Sequence, residues 1–479
     1  MRLTIPALGI ATAVAAVIVF TLEAPAAPKV EALYQQHCAA CHGPDLNSGV
    51  GGSLIDDNWN IDNTDEAIAR TLREGLPEMG MQGFGDILTD EQIRSLVIYL
   101  REKRVQAQTA NLRQRTAPPD GVITSNHHAF RLETLAEIEG DIFWSIDFLP
   151  SGTKLLTEFG GRLRFIRGNE MTPPIDIGEQ VVRHGQGGLM EASFHPNYEE
   201  NGWIYLGFSS TANGDGGGKD VLTRVVRGRV KDLKWVDQEV IWAGRRVHHT
   251  TRGVHFGTRF VFDDGYLYFP IGDRGDQARA QDLRFPNGKI FRIHDDGSIP
   301  QDNPFVDRDD AIAAIWSYGH RNPQGLDRHP ATGQLWSTEH GPRGGDELNR
   351  IQRGANYGWP VITHGMNYNG TPITDRTQAP GMEQPIHHWT PSIAVCGIAF
   401  YHGNKFPKWR NDLFVTGLKT EQLERIKLAG DTIIEHEVIL KDQGRVRDVG
   451  SGPDGYLYLI LNEQRRVGPS RLVRIVPAP

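Results

Sequence analysis

The spacing of apolar residues changes character twice along this chain. From about Ile5 to Leu22 the side chains are apolar or small, with no charge among them. Further on, Ile93, Leu96, Val97 and Leu100 fall on one face of a helix that Thr89-Asp90-Glu91-Gln92 opens as a capping box. Thr64-Asp65-Glu66 begins another helix with acids in its first turn, and Gly75 stands where a left-handed residue would end it. Beyond residue 121 the helical period disappears. Short β-branched and aromatic runs follow Gly, Asn and Asp turns instead, as strands do.

One turn-plus-strand phrase recurs six times: Ser151 to Leu156, Asn201 to Leu206, Asp264 to Phe269, Thr332 to Trp336, Asn411 to Val415 and Asp454 to Leu459. Six phrases predict six blades of a β-propeller, because a small twisted sheet buries its faces only against neighbours and radial closure protects its edges. A two-sheet sandwich rarely needs such length. The predicted fold class is therefore multidomain, with a small all-α domain over residues 27–108 followed by an all-β six-bladed propeller over residues 121–479. The polar stretch from Gln106 to Gly121, without sustained periodicity and rich in turn formers at its end, supplies the linker, placed at residues 109–120.

Composition narrows the class. At 479 residues, 39% hydrophobic and 23% charged, the chain suits two soluble folded units. Residues 27–108 carry 7 basic and 13 acidic side chains, most of the whole-chain charge of −8, so nothing here attracts nucleic acid. The apolar start followed by Ala24-Pro25-Ala26 reads as a signal peptide over residues 1–26 and implies a periplasmic protein. The run approaches the roughly 20 residues that span a bilayer, so an uncleaved membrane anchor is the alternative.

Cys38-Ala39-Ala40-Cys41-His42 is the densest chemical signal. Two thiols at this spacing can form thioethers to a haem while His42 ligates the iron. The same Cys-x-x-Cys also suits half a zinc site or a redox pair, and its surroundings decide. An export segment precedes it, and Gly80-Met81-Gln82-Gly83-Phe84-Gly85 lies between the two helices, where Met81 can give its thioether to the sixth iron position. Met79 is the weaker candidate. Residues 27–108 resemble a class I cytochrome c, which implies haem c. With Cys38 and Cys41 so committed, Cys396 remains alone and reads as a buried strand thiol.

Polar phrases cluster at strand ends of the β region: His184 to Met190, His255 to Arg259, Ile271 to Gln277, Tyr318 to Leu326, and Glu339 to Asn349, which leads to Gly354 to Pro360. Together they resemble the soluble PQQ-dependent glucose and aldose sugar dehydrogenases. The resemblance implies a six-bladed propeller with pyrroloquinoline quinone on its axis, calcium bridging cofactor to protein, and an aldose above. It further implies that His255 is the general base, that Asp273 orients it, and that Arg321 and Asn322 lie beside the quinone oxygens. Gln186 would contact sugar and cofactor, and Gln277 would fall near the sugar. Gly341 and Pro342 would offer calcium their backbone carbonyls, and Glu347 and Tyr357 would serve a structural calcium. Lys419, Arg445 and Arg447 would grip cofactor carboxylates, and Ser392 stands where the glucose dehydrogenase has threonine. Asp276 is an extra acid near the rim, and residues 364–384 have no clear counterpart.

These roles are chemically sound. Imidazole held by a carboxylate accepts a proton near neutrality, a tricarboxylate needs several cations, and calcium prefers hard oxygens. Ordinary alternatives exist for each residue: a structural histidine, a turn-capping aspartate, an arginine paired across blades. The expected activity is aldose oxidation, with electrons passing to the haem and then to a downstream cytochrome or membrane respiratory chain. The rival is a sugar- or protein-binding propeller with a haem tether or sensor and no turnover.

Overall fold

A computed structural model describes residues 27–56, 58–110, 121–463 and 469–478. The apolar segment of residues 5–22 and most of the expected linker lie outside them. Among the described residues no helix is long and apolar enough to cross a membrane.

The N-terminal domain holds helices α1 (Val30–His37), α2 (Ala39–His42), α3 (Asp65–Glu74) and α4 (Asp90–Ala110). Thr64 caps α3 by accepting from the Ala67 N–H at 3.1 Å, and Gly75 ends it at φ +81°. The capping box at Thr89 is half closed, its N–H donating to Gln92 Oε1 at 3.0 Å. Helix α4 runs two residues past the expected domain boundary at 108, since Thr109 and Ala110 continue its turn before the polar stretch begins. Val30, Leu33, Tyr34, Ile68, Leu72, Ile93, Leu96, Val97 and Leu100 form one apolar core.

Six antiparallel sheets follow, and each sequence phrase falls on the second strand of a different one. These second strands are Lys154–Glu158, Ile204–Thr211, Tyr266–Ile271, Leu335–Glu339, Leu413–Gly417 and Leu457–Asn462. The phrase repeats because in every blade the chain turns into its second strand at the same point, whether the connection from the first strand is short, as from Asp263 to Tyr266, or carries a helical turn, as from Phe194 to Ile204. Apolar faces pack between blades: Tyr205, Leu222 and Val225 meet Leu267, Phe269 and Phe291 of the next sheet. The last blade closes the ring, with C-terminal strand Ser470–Pro477 pairing N-terminal strand Ala129–Ile138.

The first strands, Phe143–Phe148, Leu189–Phe194, Val261–Asp263, Pro323–Arg328, Val395–Phe400 and Arg445–Ser451, line the axis. Side chains clip neighbours there: Asp147 accepts from the Phe194 N–H at 2.7 Å, Asp327 from Phe400 at 2.7 Å and Asp448 from Ile146 at 3.1 Å. All six inner strands begin at the same end of the channel, so residues just before them converge. Cys396 is fully buried on its strand, as expected.

Candidate active site

A cavity of about 90 Å³ opens where the inner strands begin. Gln186, His255, Arg321, Asn322, Arg445 and Arg447 line it, all expected from the sequence. Gln186, Arg321 and Asn322 stand just before inner strands, His255 lies six positions ahead of one and Arg445 opens another, so blade geometry gathers residues more than 250 positions apart.

His255 is held at two points. Its Nδ1 lies 2.6 Å from Asp273 Oδ1, and its backbone N–H donates to Gln186 Oε1 at 2.9 Å. Its backbone sits at φ +52°, a left-handed conformation that costs a non-glycine residue about 1 kcal/mol and persists where the surroundings enforce it. Asp273 is fully buried. Its Oδ1 also accepts from the Gly275 N–H at 2.7 Å, and its Oδ2 accepts from Trp359 Nε1 at 2.8 Å. Burial opposes ionisation of this carboxyl, but the bond from His255 and the charge of Arg321 hold it below the usual carboxylate range. Burial, then Arg321, lowers the His255 pKa, with Asp273 opposing. The imidazole is thus neutral near pH 7, with Nδ1 engaged and Nε2 left for the cavity.

The cavity wall is cationic. Arg321, Arg445 and Arg447 line it, and among the described residues no carboxylate does. Arg321 is fixed by its Nη1 donating to the His340 carbonyl at 2.9 Å and by its N–H donating to Glu339 at 2.6 Å. Arg447 is buried over the Trp144 ring at 3.9 Å, and its Nε has no partner. A buried, unpaired guanidinium donor is expensive unless a ligand meets it, so the donor set fits a polyanion. Asn322 accepts from the Gly257 N–H at 3.1 Å.

A second, smaller void is lined by Gly341, Pro342, Glu339, Glu347, Tyr357 and Trp359. Burial and the nearby Glu339 push the Glu347 carboxyl up to about 8, and burial pushes Asp346 up to about 6. Excess buried negative charge beside main-chain carbonyls fits a hard cation. The Tyr357 hydroxyl is already spent on the Arg350 carbonyl at 2.6 Å, leaving this residue its own carbonyl to offer.

Three expected residues lie elsewhere. Gln277 is exposed in a short 3₁₀ turn, outside the cavity lining. Ser392 donates to the Pro342 carbonyl at 3.0 Å and accepts from the Gly344 N–H at 3.0 Å, which shapes the loop carrying Pro342. Lys419 is half-exposed, with Nζ 3.5 Å from Glu102 of α4; its neighbour Leu418 lines the cavity instead. Conversely, Trp144, Gln324, His340, Trp359 and Tyr368 were not singled out. Gln324, His340 and Trp359 stand inside phrases already marked as polar and unusual. Trp144 reads as a strand residue, and Tyr368 lies in a loop without a local signal.

In the N-terminal domain Cys38 and Cys41 are free thiols. His42 Nδ1 lies 3.0 Å from the Gly52 carbonyl, which fixes the ring and leaves Nε2 for a metal. Met81 packs against the same apolar cluster as Cys38, whereas Met79 is exposed. Trp59, beside that cluster, has a buried Nε1 without a partner. These residues fit a covalent haem with His42 and Met81 as axial ligands.

Residues 141–469 match the family model described as glucose/sorbosone dehydrogenase. Residues 25–100 match that of cytochrome c oxidase, cbb3-type, subunit III, so the chain carries an N-terminal cytochrome c domain. Aldose sugar dehydrogenase YliI of Escherichia coli strain K12 is 42% identical over 67% of this chain and 87% of its own length. Quinoprotein glucose dehydrogenase B of Acinetobacter calcoaceticus is 27% identical over 58% of this chain and 73% of its own. The crystal structure of the soluble E. coli aldose sugar dehydrogenase in its apo-form superposes with a TM-score of 0.68 at 39% identity, covering 73% of this chain and all of that one. At that identity and coverage the likeness extends past the fold to the class of chemistry: the chain is an oxidoreductase and belongs to the glucose/sorbosone dehydrogenase family.

Proposed function

We propose that this protein is a periplasmic quinohaemoprotein that oxidises the anomeric hydroxyl of aldose sugars to the lactone. Its two electrons pass singly to its own haem and on to a cytochrome or membrane respiratory acceptor. The observation that carries the reading is the axial cavity, where the His255–Asp273 pair faces three arginines and, among the described residues, no lining carboxylate.

Pyrroloquinoline quinone, when bound, supplies the carbonyl carbon that accepts hydride. Arg445 and Arg447 would hold its carboxylates, Arg321 and Asn322 its quinone oxygens, and Gly341 and Pro342 the calcium that joins it to the protein. His255 Nε2 takes the proton of the sugar hydroxyl. Asp273, ionised and fully buried, keeps the ring oriented and stabilises the imidazolium that forms. Arg321 offers charge where negative charge develops during hydride transfer, the condition under which binding lowers a barrier. Gln186 spends its oxygen on His255 and keeps its amide N–H groups for the sugar. Glu347 and Tyr357 would hold a structural calcium. Cys38, Cys41, His42 and Met81 would carry the haem.

The test is the haem absorption of the ferric protein mixed without oxygen with calcium, the quinone and a panel of aldoses, beside His255→Ala. Reduction that needs both sugar and quinone, and disappears in the variant, is the expected result. A haem that stays ferric with every sugar, together with an artificial dye that stays oxidised, would instead favour a binding propeller.

A further inference from the structure

The cytochrome domain is seated on the propeller by a strap that also borders the cavity. Residues 363–376 leave blade four and return, closed by the Thr363 N–H donating to the Arg376 carbonyl at 3.1 Å. Met366, at its centre, is 1% exposed and packs within the apolar core of the cytochrome domain. Around this anchor, Gly344 lies against Ile98, where a Cβ would come within 2.6 Å. The Val30 N–H donates to the Gly370 carbonyl at 2.9 Å, and Arg94 donates to the Thr374 carbonyl at 2.5 Å.

Charge is concentrated at one point of the seat. Glu102 of α4, only 9% exposed, meets Arg343 Nε at 2.7 Å and Lys419 Nζ at 3.5 Å. Arg343 also reaches Glu31 at 3.2 Å. Both cations adjoin the cavity machinery: Arg343 follows Gly341 and Pro342, and Lys419 follows Leu418. Arg343 and Met366 exchange backbone hydrogen bonds at 3.0 and 2.9 Å, and Tyr368, two residues on, lines the cavity. Latch, apolar anchor and cavity wall are one continuous piece of backbone.

We propose that the haem domain works from this one fixed seat, with Glu102 as the positioning residue that latches it, so that internal electron transfer crosses this interface without the domain detaching. The inference rests on the dehydrogenase reading above. Each aldose oxidised to lactone releases two electrons and two protons. The single haem takes one electron, ferric to ferrous, and an external one-electron acceptor reoxidises it before the second arrives, while the protons leave to solvent. A fixed seat makes each transfer independent of linker diffusion, and a partly buried charge pair resists screening better than exposed ones.

The experiment uses the full chain loaded with haem, quinone and calcium. In Glu102→Lys, sugar-driven haem reduction followed by stopped flow should slow about tenfold or more, as like charges meet in the seat, while sugar oxidation with a small dye stays within about twofold of wild type. Small-angle scattering should give a compact wild type at both low and 0.5 M salt, a concentration of about three times physiological, and an expanded variant. Glu102→Gln should fall between the two. Unchanged haem reduction in Glu102→Lys, dye and haem rates that fall together, or a wild type that expands in salt would each overturn the fixed seat. Failure of wild type to reduce either acceptor would sink the dehydrogenase reading instead, which separates the two.

Discussion

The two ends of the propeller axis are built from the same six inner strands, yet they carry opposite charge and treat it differently. Where the strands begin, Arg321, Arg445 and Arg447 line the wall, and among the described residues no carboxylate lines it with them. Toward the other end, Asp147, Glu191, Asp327 and Asp448 surround Arg259. There the cation has carboxylate partners, for Arg259 meets Glu191 at 2.8 Å and Asp448 at 3.2 Å although its Nε, like that of Arg447, has no hydrogen-bond partner, and three of the acids accept backbone N–H groups of adjacent blades. Burial pushes Glu191 up to about 8 although Arg259 opposes it, and pushes Asp327 up to about 6. Buried charge that is satisfied within the fold is structural. A buried cation that faces a cavity without a carboxylate partner marks the end that receives a ligand.

The comparison can be broken most sharply at His255. His255→Ala should lower sugar turnover about a thousandfold, the loss expected of a general base, and leave thermal unfolding nearly unchanged. In wild type, the acid limb of kcat/KM should fall below the ordinary histidine value of 6.5, since burial and Arg321 lower this pKa; activity is present above that limb and lost as pH falls through it.

At the cationic wall, Arg447→Met should weaken quinone binding, measured by titration calorimetry, about fiftyfold, the loss of one charge-assisted contact. Because the change removes an open buried charge, the apo-protein should melt no lower than wild type. A variant that unfolds instead would place Arg447 among the structural charges.

Trp359→Phe keeps the packing but removes the donor to Asp273 Oδ2. The freed oxygen can then draw the carboxylate away from His255, and kcat should fall about tenfold with little change in KM.

At the acidic end the effect should be on stability alone. Asp327→Ala strands the Phe400 N–H and should cost about 2 kcal/mol in denaturant unfolding without altering cofactor affinity. Asp327 is raised above its ordinary 3.8, so the folded state holds this proton more tightly than the unfolded state. Its contribution is therefore fully present below that value and is lost as pH rises through about 6. The variant should lack this part of the slope.

Blade number was legible because each entry into a second strand sets turn-forming residues such as Gly, Asn or Asp beside an apolar run, and that pattern recurs six times. The candidate haem-binding residues were legible because covalent attachment would require Cys38, Cys41 and His42 within five residues. Gln186, His255, Arg321 and Arg447 could be named from local phrases, and the cavity contains them. Lys419 and Gln277 could not be placed the same way. Lys419 has a long, flexible side chain, and the neighbour that claims it, Glu102, lies more than 300 positions away. Gln277 sits on a turn whose direction depends on packing. Trp359 stands in a phrase that the sequence marked, but its partner could not be named, since a tryptophan in a long loop has many possible neighbours.

By itself, then, the sequence determined what is local: a helical domain with a haem-attachment motif, six repeats of a blade, and short phrases of polar residues at strand ends. Local backbone sterics and covalent chemistry set these within a few residues, so composition and spacing carry them. Tertiary structure alone decided which buried charges are paired and which stand open. It also placed Trp359 behind Asp273 and brought Met366 of the propeller into the core of the cytochrome domain. Those outcomes depend on closure of the ring and on contacts between distant segments, where packing and desolvation, not spacing along the chain, choose each residue's partner.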